Sequence, residues 1–122
     1  MFAAWSLWRA SGSARAGARL AQALASDDET ARTAAGMLLV KAGARALPLM
    51  RDNLARGIAA PLSLRVIGDL AGDVGGEAAL SVIAPYREHA DARIARAAED
   101  AAQAAEAAAH VAPSATRGKG LG

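Results

Sequence analysis

GARALPLMRDNLARGIAAPLSLRVIGDLAGDVGG, residues 43–76, reads as a single helical hairpin. The spacing predicts a first arm over residues 45–56, a break at 57–60 and a second arm over 61–71. Leu47, Met50, Leu54 and Ile58 recur at helical intervals on one face of the first arm. Leu62, Val66 and Leu70, with Ile67 beside them, line the second. Pro48 falls in a first turn, where a missing N–H costs little, and Pro61 suits the first helical position. Gly72-Asp73-Val74-Gly75-Gly76 has the composition of a turn.

The flanking segments repeat this pattern. Ser26-Asp27-Asp28-Glu29 is a capping box, in which Ser26 caps and Glu29 reaches back. It opens a helix over 27–42 that buries Ala31, Ala34, Ala35, Leu38 and Leu39 and stops at Gly43. Upstream, Ser11-Gly12-Ser13 is a break, followed by a short helix over 14–25 with Leu20 and Leu24 as its apolar points. Downstream, residues 77–89 form another arm with Leu80, Ile83 and Tyr86 facing in, kinked or ended early by Pro85. Asp91 caps a last helix over 91–109, whose one large apolar residue is Ile94. Its second half, 101–109, favours helix but offers little to bury, so it is expected to fray or project. Residues 110–122 read as a flexible basic tail, 14–109 as the repeat domain and 1–13 as an N-terminal extension.

A chain of 122 residues fits one domain. Its 53% hydrophobic content is mostly alanine, so helices can approach closely while each buried position removes little apolar area from water. With no cysteine, disulfides, thiolate catalysis and cysteine-bound metals are excluded. No apolar run approaches the roughly 18 residues of a spanning helix. The formal charge of +2 is unevenly placed. Residues 1–26 carry +3 and 107–122 carry +2, while 27–106 hold nine basic and twelve acidic side chains and are net −3.

Three of the four aromatic residues, Phe2, Trp5 and Trp8, lie three apart in the first eight positions and are followed by Arg9. Two readings stand. The rings cover the apolar end of a helical stack, as terminal repeats require, or they insert into pockets on a partner, as buried tryptophans often do at interfaces. Insertion into a membrane surface is a third possibility. The charges follow the apolar residues, unlike a secretory signal, so a cytoplasmic location is expected. An acid-free, Arg- and Ser-bearing start also matches an organellar transit peptide.

An offset of 33 aligns Ala46-Leu47 with Ala79-Leu80, Met50 with Ile83, and Arg32 with Arg65. Paired helices with a period in the thirties mark a helical solenoid. On Asp28-Glu29-Thr30-Ala31-Arg32-Thr33-Ala34-Ala35, Gly43-Ala44-Arg45-Ala46-Leu47-Pro48-Leu49-Met50 and Asp91-Ala92-Arg93-Ile94-Ala95-Arg96-Ala97-Ala98, the chain resembles the HEAT-repeat family, in its short bacterial form. The resemblance covers about residues 14–105. It implies an all-α fold, a short right-handed α-solenoid of about three antiparallel helical hairpins. In that family an acid in the turn of each repeat lies near a basic residue on the next helix. Asp28 with Arg32, and Asp91 with Arg93 or Arg96, occupy such places, whereas the middle turn, Ala55-Arg56-Gly57-Ile58-Ala59-Ala60, has no acid. The aromatic positions of tetratricopeptide arrays are empty.

Residues suited to catalysis are sparse. His89 with Asp91 suggests a metal pair or acid–base dyad, but a histidine in the last turn of a helix, where cations are favoured, explains it as well. His110 stands alone. Asp69, Asp73 and Glu77 are four apart but interrupted by a turn, and lack the alternating oxygens of a calcium loop. Gly68, Gly72, Gly75 and Gly76 have neither a preceding strand nor a following Lys-Ser/Thr, so they are no phosphate loop. Ser63 and Ser81 lack nucleophile surroundings. Arg45, Arg51, Arg56 and Arg65 crowd one hairpin, yet interleaved acids argue against a groove that tracks phosphates.

The expected function is therefore a non-catalytic protein–protein interaction module, a small scaffold or accessory subunit of a larger assembly. No catalytic residue, cofactor, metal or small-molecule substrate is assigned, and Phe2, Trp5, Trp8 and Arg9 are the expected partner-binding residues. The alternative is a peripheral membrane or assembly factor held by the same aromatics. Some HEAT-like relatives are tied to phycobilin lyase activity; that reading and nucleic-acid binding rank lower.

Overall fold

A computed structural model describes residues 14–121, with side chains described over residues 15–110. The described residues form helices and turns, with no strand. In order they form α1 (Ala14–Ala23), α2 (Glu29–Ala42), a 3₁₀ turn (Gly43–Ala46), α3 (Leu47–Ala55) and α4 (Ala60–Val74). Next come α5 (Gly76–Ile83), a second 3₁₀ turn (Ala84–Tyr86) and α6 (Ala92–Leu121). The principal contacts join helices that are consecutive or one apart in the chain.

Local chemistry sets the boundaries. The N-cap of α2 is Asp28 rather than Ser26, and the helix starts at Glu29 rather than at 27. Asp28 Oδ1 accepts from the Thr30 N–H at 3.0 Å, and Ser26 Oγ accepts from the Asp28 N–H at 3.1 Å. The shorter acid is thus placed to satisfy the second helical N–H, and the serine supports it from outside. Gly43, at φ 71°, ends the helix as expected. The 57–60 break is also present. Gly57 (φ 71°) and Ala59 (φ 45°) both take positive φ there, a conformation that costs alanine about 1–2 kcal/mol. The 72–76 turn contracts. Helix α4 runs on to Val74, and Gly75, at φ 97°, alone separates it from α5. Pro85 stops α5 early, leaving one 3₁₀ turn. Asp91 caps α6, its Oδ1 accepting from the Arg93 N–H at 2.9 Å.

Helix α4 is the hub, packed against α2, α3, α5 and α6. A helix with neighbours on several sides buries more than one stripe. Leu64 is therefore wholly buried beside Ile67, Leu70 and Val66, although it lies off the face that periodicity selects, while Leu62 is only half-buried. Leu80 is likewise half-buried, with Ala79 and Ile83 facing the core. In α2, Ala35 and Leu39 are buried while Ala31, Ala34 and Leu38 sit at its margin.

The expectation for the last helix is overturned. Ala98, Ala101, Ala102 and Ala105 are all buried, and α6 packs along α4 and α5. Glycines on the partner helices make this possible. A Cβ on Gly68 would lie 3.0 Å from Ala101 Cα, and one on Gly76 would overlap the backbone of Ala105 and Ala109. Alanine therefore buries its surface here by close backbone approach rather than by bulk. The helix also continues past the expected end near residue 109, to Leu121. Of the expected tail, residues 110–122, all beyond 110 lie outside the residues whose side chains are described.

A buried polar cluster joins three helices. Asn53 is 2% exposed, and its Nδ2 donates to Ala21 O at 3.0 Å and to Ser63 Oγ at 3.2 Å. Ser63 Oγ donates to Ile58 O at 3.2 Å. The amide thus adds a second donor to a carbonyl at the end of α1 that also accepts from the Leu24 N–H at 3.3 Å.

Candidate interaction face

Helices α2, α4 and α6 lie in sequence along one side, α4 packing on both of the others. Between α2 and α4 is a hollow of about 660 Å³, and between α4 and α6 one of about 540 Å³. Leu62, Arg65 and Asp69 of α4 line both, so α4 forms the ridge between two adjoining hollows. Leu24, Met37, Val40, Leu62 and Val66 give the first an apolar lining. Met37 is 68% exposed and is the one large hydrophobic residue left open among the described residues. The second hollow has a floor of small residues, Gly68, Ala97, Ala101 and Ala104.

Charge rims this floor. Arg32, Lys41, Arg65, Arg93 and Arg96 line the two hollows together with Glu29, Asp69 and Asp100. Five cations against three anions leave the face net positive, whereas residues 27–106 as a whole are net negative. Arg65 and Asp69, like Arg96 and Asp100, are four apart on one helix. Among the described residues, neither pair comes within ion-pair distance. Arg32 is committed to structure, its Nη1 donating to Ser26 O at 2.8 Å. The Asp28–Arg32 ion pair implied by the HEAT resemblance is absent, because each group is held by a backbone partner. Arg93 Nε lies 3.8 Å from Asp91 Oδ1.

Away from the two hollows, charges are held in ion pairs. Arg87 donates to both Glu99 oxygens at 3.1 Å and approaches Glu106 Oε2 at 3.8 Å, tying the second 3₁₀ turn to α6. Arg56 pairs with Asp52 at 3.3 Å at the end of α3. The basic hairpin of the sequence is thereby divided: Arg65 lines the hollows, while Arg56 stands at α3.

The remaining candidates separate. Phe2, Trp5, Trp8 and Arg9 lie outside the described residues. His89 lies in the turn after the second 3₁₀ segment, not in the last turn of a helix. Its Nδ1 accepts from the Asp91 N–H at 3.0 Å, and its ring stacks on Tyr86 at a 6.4 Å centroid distance. Ser63 belongs to the buried amide cluster. Gly68 and Gly76 serve helix packing. Among the described residues, no three His, Cys, Asp or Glu side chains are grouped to hold a metal ion, and no helix is long and apolar enough to cross a membrane. Comparison with family models, curated proteins and solved structures gives no match, so the site rests on this chain's own residues.

Sequence reasoning missed this face. Its signal was present in the offset of 33 from Arg32 to Arg65 and the 31 from Asp69 to Asp100, which place charges at matching positions of successive second helices.

Proposed function

We propose that this chain is a non-catalytic protein–protein interaction module, a short HEAT-like stack whose α2–α4–α6 side receives a partner. The observation that carries the reading is the pair of adjoining hollows, apolar at the floor and charged at the rim, around an open Met37. Apolar anchors ringed by charge suit a protein surface. Principal contacts between helices near in sequence support the stacked-hairpin reading.

The test is affinity capture with the intact chain, read by mass spectrometry, comparing wild type with Met37→Asp/Arg65→Glu and with Phe2→Ala/Trp5→Ala/Trp8→Ala. A partner lost from the first variant and kept by the second supports the face. A partner lost only from the second transfers the function to the N-terminal aromatics and the peripheral-factor alternative. Liposome co-sedimentation of the same variants separates a membrane from a protein as their target.

A further inference from the structure

Resting on that reading, we infer that the occupant of the α2–α4–α6 face is an amphipathic helix with an acidic polar side. Three observations define it. The first hollow, about 660 Å³, has an apolar floor and an exposed methionine, suited to one or two large aliphatic side chains. The second, about 540 Å³, is floored by glycine and alanine and rimmed by Arg65, Arg93 and Arg96, with Asp69 and Asp100 the only acids among its lining residues. Arg65 and Arg96 make no ion pair with any described residue, so their guanidinium groups are available to carboxylates.

The charge is local. Residues 27–106 are net negative, yet five of the eight charged residues lining the two hollows are cationic. Within residues 27–106 an acidic segment is therefore drawn to this side and repelled from the remainder, which steers approach and fixes orientation. Neighbouring helices pack about 8–10 Å apart, so the span from α2 to α6 is about 16–20 Å, the length of roughly 11–13 helical residues. Nucleic acid fits less well. Among the described residues no aromatic ring lines either hollow for base stacking, and two carboxylates stand among the cations of the second.

The test uses the full chain and a fluorescein-labelled peptide of about 14 residues. The probe carries Leu at i, i+3, i+4 and i+7, and Glu elsewhere. One control replaces every Glu by Lys, and a single-stranded oligonucleotide serves as competitor. The acidic peptide is expected to bind and to weaken with added salt. Arg65→Glu should weaken it about tenfold, a loss of about 1.4 kcal/mol. Arg65→Gln/Arg96→Gln, which removes the same charge, should weaken it to a similar extent, and Met37→Ala should weaken it with little change in salt dependence. A melt matching wild type confirms that each variant is folded. Equal binding of the Lys peptide, indifference to Arg65→Glu, or displacement by the oligonucleotide at lower concentration would overturn the assignment. If capture through Met37 and Arg65 yields a partner whose contacting segment is not acidic, this inference falls and the interaction module stands. If neither capture nor peptide binding depends on the face, both fall.

Discussion

Asn53 shows how one polar side chain specifies the meeting of three helices. Its Nδ2 bonds Ala21 O and Ser63 Oγ in a site 2% exposed. Asn53→Leu removes two buried hydrogen bonds, at about 0.5–1.5 kcal/mol each, while Ala21 O keeps the Leu24 N–H and Ser63 Oγ keeps Ile58 O. The melting temperature should fall by several degrees. Ser63→Ala should cost less, because Asn53 keeps Ala21 O. The glycines offer a contrast of sign. Gly72 lies within α4, and a Cβ there would meet nothing within 4 Å, so Gly72→Ala should stabilise by up to about 1 kcal/mol through helix propensity. A Cβ on Gly76 meets the backbone of Ala105 and Ala109, so Gly76→Ala should destabilise by about 1–3 kcal/mol. Urea melts of the two variants check both signs.

Helix α6 carries the largest difference between sequence and structure. Its alanines offer no large side chains for a periodicity to select, and what makes them core is the glycine on the facing helices. Ala101 and Ala105 become core only when Gly68 and Gly76 are seen opposite them, and that is a tertiary fact. The reverse holds for the 43–76 hairpin, whose Leu47, Met50, Leu54, Ile67 and Leu70 are large enough to declare their faces and are buried. The proposed interaction face left one trace in the sequence, the Arg32–Arg65 offset, but nothing in it says which charges find intramolecular partners. Ending the chain after Glu99 removes Ala101, Ala102 and Ala105 from the core. The truncated chain should lose cooperative melting by circular dichroism. Arg87→Ala, by contrast, removes an ion pair whose partners are about a third to a half exposed and should cost no more than about 1 kcal/mol.

At the scale of the molecule, uncommitted cations and open apolar surface lie together on the α2–α4–α6 face. Among the described residues, fixed ion pairs tie Arg87 to α6 and Arg56 to α3, while Arg65 and Arg96 stay uncommitted beside an open Met37. The most direct measurement is a backbone-amide chemical-shift titration of the labelled protein with the acidic amphipathic peptide. Shifts should concentrate on residues 32–41 of α2, 62–69 of α4 and 93–104 of α6, and vanish in Arg65→Glu. Shifts centred instead on α1, α3 and α5, or none at saturating peptide, would contradict the assignment of this face.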